Sequence, residues 1–383
     1  MIFPQTTTWI ELSEEHVHHN AKLIHTISKK NIAAVLKSNA YGHGLLEFAS
    51  IASRCEYITH FCVFSCAEAL TIKTELSCPQ TLVVLGAADD EYLEESLKHS
   101  ICISINDIYE LKKIITLTKK NNLDARITIK IDSGLGRLGL REEDLETALT
   151  LLQENPQINL YSVMTHLSHL PEEDCEISSK QLACFDYLYN KIQNWCTKNN
   201  QSKPLSHVYA SSGLAYASQR NDDLIRVGSL LYGFYKSPHQ KTIIQRVSND
   251  SFKPVLSLKT RIMSIKHLPS HCPISYGAQE YTTRESAIAY LPCGYMEGYP
   301  QSLGTSKMTV LINGVQAPLI GCISMNVINV NVTAIPGVQI GDEVTLFGSE
   351  PATNCATIAA LVNKKPIEIT TSLCAGLRRI TVK

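Results

Sequence analysis

From residue 32 to about residue 233, short apolar runs alternate with amphipathic stretches, and eight runs can be counted: 32–36, 61–65, 81–86, 101–105, 126–132, 160–166, 207–212 and 224–232. Short apolar runs of this kind predict strands of a parallel sheet buried on both faces. Between them the apolar residues recur at intervals of three and four, as in Ile108, Leu111, Ile114, Ile115 and Leu117, or Leu182, Phe185, Leu188, Ile192 and Trp195. That period predicts covering helices. Eight strand–helix units in about 200 residues predict a closed (β/α)8 barrel of the TIM type. An open doubly wound sheet would usually carry fewer strands and a Gly-rich first turn, which this chain lacks.

After about residue 237 the pattern changes. Strand-like segments at 255–265, 286–291, 309–312, 327–332 and 343–347 follow one another without long helices, and turn signals stand at Asn313-Gly314, Pro336-Gly337 and Gly341-Asp342. A mainly β second domain is expected, holding one helix over 357–362 and a final strand near Ile380. The boundaries are read as 12–237 for the barrel and 238–383 for the β domain, with residues 1–11 open to joining the second.

At 383 residues a single core is not expected to serve the whole chain, which agrees with two domains. A formal net charge of -1 gives no electrostatic reason to expect nucleic acid or an anionic membrane as partner. The first residues lack a basic segment followed by an apolar one, and no apolar stretch reaches the roughly 18 residues of a membrane span, so a cytoplasmic location is expected. The 13 cysteines are odd in number and form no paired Cys-x-x-Cys set; they read as reduced thiols, mostly core filler, and no metal site is expected. The His16-Val17-His18-His19 cluster reads as a solvated helix face.

Active groups of such a barrel stand at the carboxyl ends of its strands. Lys37 and Tyr41 follow the first run, Arg137 the fifth, His166 the sixth and Ser212 the seventh, while Arg226, Gly228 and Ser229 lie in the eighth. Burial there would lower the pKa of Lys37 toward a free, nucleophilic amine. A lysine that can bind an aldehyde, with a histidine, two arginines and small residues offering N–H groups, suits a phosphorylated cofactor carrying a carbonyl. Singly, each of these residues is more often structural; it is their joint placement that points to a site.

The segment Ala33-Ala34-Val35-Leu36-Lys37-Ser38-Asn39-Ala40-Tyr41-Gly42-His43-Gly44 resembles the pyridoxal-phosphate lysine signature of bacterial alanine racemases. Four further blocks agree in order and spacing: Lys130 to Gly139, Met164 to Leu167, Ile225 to Gly228 with Leu231-Tyr232-Gly233, and Ile274 to Gly277. The resemblance implies a barrel plus β domain in a homodimer with shared sites, interconverting L- and D-alanine, a small amino-acid substrate, to supply D-alanine for peptidoglycan. It implies pyridoxal 5'-phosphate held by Lys37, with Lys37 and Tyr276 as bases on opposite faces of the α-carbon, Tyr276 coming from the partner subunit. Tyrosine is normally protonated at neutral pH, so such a base needs nearby positive charge, for which His166 and Arg226 are candidates. Arg226 resembles the residue facing the ring nitrogen, Arg137 and the Met325 main-chain N–H the substrate-carboxylate contacts, and Lys130 a lysine that is often carbamylated. Tyr41, Ser212, Gly228 and Ser229 match the phosphate cradle. Three departures stand out: Asn326 replaces a common aspartate, Ile367 a tyrosine that touches the phosphate, and Leu377-Arg378-Arg379-Ile380 shortens a terminal Arg-Val-Pro-Arg. A racemase of other specificity such as serine, a pyridoxal-phosphate-binding protein without racemase activity, and a fold-related decarboxylase are the competing readings.

Overall fold

The computed structural model describes residues 5–169, 175–304 and 308–383. The chain begins with β1 (Gln5–Ser13) and a helix, Glu14–Ser28, capped by the Ser13 hydroxyl on the His16 N–H. Eight parallel strands follow: β2 (Asn31–Val35), β3 (Ile58–Val63), β4 (Thr81–Val84), β5 (Cys102–Ile105), β6 (Ala125–Lys130), β7 (Ile158–Met164), β8 (Leu205–His207) and β9 (Leu224–Val227). Their order is β8-β7-β6-β5-β4-β3-β2-β9. The two ends of that order meet, because the Asp223 N–H donates to the Ser206 carbonyl at 2.9 Å and the Arg226 N–H to the Tyr209 carbonyl at 3.1 Å. The sheet therefore closes into the expected barrel.

Each run falls on or beside a strand, and two are corrected. The seventh strand ends at His207, and Ser211–Gln219 forms a 3-10 helix. The eighth ends at Val227, where the Phe234 N–H donates to the Ser229 carbonyl at 2.8 Å and folds 228–234 into a turn. Both excess lengths are strand-like in composition, but their main-chain groups bond locally, and these turns carry small residues into the site.

Inside the barrel, Ala33, Val35, Cys62, Val83 and Cys102 form a small apolar cluster of their own. The opposite faces of the strands, with Ala34, Phe61, Val63 and Val84, join the large core under the helices. The barrel interior is thus filled with side chains, and Val35, the last residue of β2, lies where this packing meets the cavity at the carboxyl ends of the strands.

The remaining strands are β10 (Leu256–Arg261), β11 (Ser264–Leu268), β12 (Pro273–Ile274), β13 (Glu280–Tyr281), β14 (Ser286–Leu291), β15 (Thr309–Ile312), β16 (Val315–Pro318), β17 (Ile328–Asn331), β18 (Glu343–Phe347) and β19 (Leu377–Val382). A six-stranded sheet runs β16-β15-β18-β10-β1-β19, and a three-stranded sheet β11-β14-β17. The single expected strand over 255–265 is two strands in different sheets, parted at Ile262 and Met263. Asn313 and Gly314, both with positive φ (51° and 79°), make the two-residue hairpin between β15 and β16 that the Asn-Gly pair predicts. β1 alternates buried Thr8, Ile10 and Leu12 with partly exposed neighbours, and its pairing with β10 and β19 ties the start of the chain to this second sheet.

His16 and His19 do not form a solvated face: their rings bond the Pro254 and Ser251 carbonyls at 2.7 and 3.0 Å and hold the segment that enters β10. All 13 cysteines are free thiols, seven of them buried. Among the described residues no helix is long and apolar enough to cross a membrane.

Candidate active site

A cavity of about 500 Å³ opens at the carboxyl ends of the barrel strands. Lys37, Tyr41, Lys130, Arg137, His166 and Arg226 line it, as do Ser212, Gly228 and Ser229. Nine of the eleven residues singled out from the sequence therefore meet in one place. Tyr276 and Met325 do not; they are 77% and 54% exposed. The two lie beside one loop, since the Ser275 hydroxyl donates to the Cys322 carbonyl at 3.0 Å and the Cys322 thiol to the Tyr276 carbonyl at 3.6 Å. Within one chain they face outward, away from the cavity.

Lys37 stands where β2 turns over. Ser38, Asn39, Ala40 and Tyr41 all adopt positive φ between 51° and 57°, a left-handed turn costing roughly 1–2 kcal/mol per residue. Several contacts hold it. The Glu68 carboxylate accepts the Ser38 N–H at 2.7 Å and the Phe64 N–H at 2.8 Å, and Asn39 Oδ1 accepts the Leu45 N–H at 2.8 Å. Helix Pro366–Thr371 closes over the turn so tightly that a Cβ on Gly42 would stand 1.9 Å from the Thr370 carbonyl oxygen. Burial first, and the Arg137 charge second, lower the pKa of Lys37. Both favour the neutral amine.

Arg226 is buried, and its four terminal N–H groups have four acceptors: His207 Nδ1 at 3.0 Å, the Val208 carbonyl at 3.0 Å, and the carbonyls of His207 and Thr165. The Nε–H is the donor left for a ligand. Because arginine only donates, His207 Nδ1 accepts, so the ring is neutral with its proton on Nε2, facing Ser162 Oγ at 3.2 Å. Ser162 meets Thr128 at 2.6 Å, and Thr128 meets the Cys102 thiol at 3.2 Å. A polar chain thus crosses the barrel beneath the cavity floor. Burial lowers the pKa of Arg226 to about 10, which still leaves it charged at neutral pH.

His166 differs from the expectation that it supplies positive charge. Burial, then the charges of Arg226 and Arg137, push it down to about 3, so the ring is neutral at physiological pH. Lys130 falls to about 8 for the same reasons, burial first and Arg137 second. Arg137 itself sits on a loop gathered by the Asp132 carboxylate, which accepts the N–H groups of Gly134, Leu135, Gly136 and Arg137 at 2.9–3.2 Å. Burial alone would raise the pKa of Asp132, but these bonds outweigh it and lower it.

At the other end, Tyr41 reaches Gly228: a Cβ there would lie 2.6 Å from the Tyr41 hydroxyl. The Gly228 N–H donates to the Ser211 hydroxyl at 3.1 Å. Burial raises Tyr41 to about 12, keeping it a neutral hydroxyl donor. The lining holds six Lys and Arg side chains and no carboxylate. Such a cavity suits a ligand bearing more than one negative charge, with a carbonyl for Lys37, and a phosphorylated aldehyde fits this donor set.

Three lining or supporting residues were not foreseen. Glu68 had a signal, the Ser65-x-x-Glu68 capping box, whose carboxylate also serves the Lys37 turn. Lys236 and Lys365 had none, for they lie in irregular segments that periodicity does not read.

Two family models match the chain: alanine racemase, N-terminal domain, over residues 12–236, and alanine racemase, C-terminal domain, over residues 255–381. An alanine racemase of Clostridium novyi (strain NT) is 31% identical over 350 residues, covering 89% of this chain and 86% of that protein. The solved alanine racemase of Clostridium difficile 630 superposes with a TM-score of 0.87 at 26% identity, covering 99% of this chain and 96% of the other. That of Bartonella henselae, with covalently bound pyridoxal phosphate, gives 0.79 at 25% identity, covering 99% and 100%. The chain belongs to the alanine racemase family.

Proposed function

We propose that this protein interconverts L- and D-alanine by a two-base mechanism, with Lys37 of one protomer and Tyr276 of a second on opposite faces of the substrate α-carbon. The observation that carries the reading is a strand-end lysine with a depressed pKa in a cavity lined by five further Lys and Arg side chains and no acid. The cofactor is pyridoxal 5'-phosphate. When bound it supplies an aldehyde for Lys37 and an electron-withdrawing ring that acidifies the α-hydrogen.

The chain's own residues do the rest. Lys37, whose pKa burial lowers toward the free amine, accepts or returns a proton at the α-carbon on its side. Arg226 offers its Nε–H toward the ring nitrogen and, being an arginine, gives up no proton there. Arg137 orients the substrate carboxylate, and Lys130 beside it, lowered to about 8, has a neutral amine fraction able to take up CO₂ as a carbamate, an anion that would hold the Arg137 guanidinium. Tyr41, Ser212, Gly228 and Ser229 form the phosphate cradle. Tyr276 and Met325 would enter the cavity of a second copy in a homodimer with shared sites, a reading supported by their exposure on one loop cluster outside their own chain's cavity. Arg226 is left to supply the positive charge near Tyr276, because His166 is neutral.

The test is exchange of the α-hydrogen with solvent deuterium, followed from each enantiomer of alanine separately. Tyr276→Phe is expected to keep exchange from one enantiomer while racemisation falls at least about 100-fold. Racemisation at the original rate, or equal loss of exchange from both enantiomers, would refute the two-base assignment.

A further inference from the structure

Position 367 offers no hydroxyl to a bound phosphate, yet the wall that carries Ile367 is not apolar. Lys236 and Lys365 line the same cavity, and neither ammonium group forms an ion pair or hydrogen bond with another of the described residues.

Lys236 is brought there by a built arrangement. The turn that offers Gly228 and Ser229 closes through the Phe234 N–H on the Ser229 carbonyl at 2.8 Å, so the chain returns to the cradle two residues before Lys236. Gln240, only 2% exposed, then holds the spot: its Oε1 accepts the Lys236 main-chain N–H at 2.7 Å, and its Nε2 donates to the Ser211 carbonyl at 2.6 Å. Ser211 is also the hydroxyl that receives the Gly228 N–H. One buried amide therefore ties the lysine backbone to the cradle. Lys365 arrives on a separate part of the chain, the segment entering helix Pro366–Thr371, which is fixed by its close approach to Gly42.

We propose that Lys236 and Lys365 form a two-lysine phosphate clamp, pairing their charges with the cofactor phosphate at the end of the cavity where a hydroxyl is missing at Ile367. A lysine binds phosphate as a point charge and tolerates looser geometry than a hydroxyl, so the clamp keeps affinity without a fixed short bond. Gln240 acts as a positioning residue for Lys236. The clamp rests on pyridoxal phosphate occupying this cavity.

Equilibrium binding to the full-length apoprotein tests it, using two probes: pyridoxal 5'-phosphate and pyridoxal, which lacks the phosphate. Lys236→Met and Lys365→Met should each weaken the phosphorylated probe about three- to tenfold, and the double variant more, with pyridoxal affinity unchanged. Lys→Arg at either position should restore most of the loss. The wild-type preference for the phosphorylated probe should also fall with added salt more steeply than that of the double variant. The clamp is overturned if the double variant binds pyridoxal phosphate within about twofold of wild type, or if both probes weaken together. Failure of the wild-type protein to bind pyridoxal phosphate at all would instead overturn the cofactor assignment beneath it.

Discussion

Four histidines are kept neutral by the fold. Burial, the largest cause in each case, pushes His43 and His166 down to about 3, His60 to about 4, and His207 well below the ordinary range. In the unfolded chain each would titrate near 6.5. Above that pH neither state binds the proton, and stability is unaffected by these groups. As pH falls from about 6.5 toward 4 the unfolded chain takes up protons that the folded protein refuses, so stability is lost with acidification. Urea unfolding at a series of pH values should report an uptake approaching four protons at about pH 4.5 to 5, and fewer than about two would contradict the burial argument. Single residues also show how much was legible beforehand. Lys37 was visible because it interrupts an apolar run at a strand end; Glu68 could have been found from its capping box. The neutrality of His166 could not, because it arises from the burial and the cations gathered around it by distant parts of the chain.

At the scale of elements, the sequence pattern was strongest where burial decides conformation and weakest where hydrogen bonding does. Most barrel strands overlap the apolar runs, and β14, β15 and β18 coincide with them, because their side chains are sorted between core and lumen or core and solvent. The 3-10 helix Ser211–Gln219 and the 228–234 turn were taken into strands, since their composition is strand-like and their local bonds are invisible in composition. The left-handed turn after Lys37 lies beyond the apolar run and carries no period that could mark its shape. It is held from outside by helix Pro366–Thr371, and this makes a specific prediction. Gly42→Ala combines a strained φ of +84° with a Cβ 1.9 Å from the Thr370 carbonyl oxygen, and should lower unfolding free energy by about 2 kcal/mol or more. Because the displaced helix also carries Ile367 and follows Lys365, cofactor affinity should fall with it. A variant as stable as wild type in urea would show that the helix does not brace the turn.

At the scale of the whole molecule, one chain brings Lys37, Arg137, Arg226 and the small residues Ser212, Gly228 and Ser229 around one cavity, but sets Tyr276 and Met325 on an outer surface. Resemblance gave Tyr276 its role; periodicity and spacing say nothing of a group on another copy, because a sequence holds no record of its partner. Chemistry supplies a reason for the proposed division: inversion needs acid–base groups on two faces of one carbon, and Tyr276 is not among the residues that line the cavity of its own chain. Mixing two inactive proteins tests this directly. Lys37→Ala and Tyr276→Phe homodimers should each be nearly inactive, yet heterodimers formed by mixing them contain one site with both native residues. Random exchange in equal amounts should restore racemisation to about a quarter of the wild-type rate, since half the dimers are mixed and each carries one complete site. If verified subunit exchange restores no activity, Lys37 and Tyr276 do not act across the dimer, and the two-subunit account is contradicted.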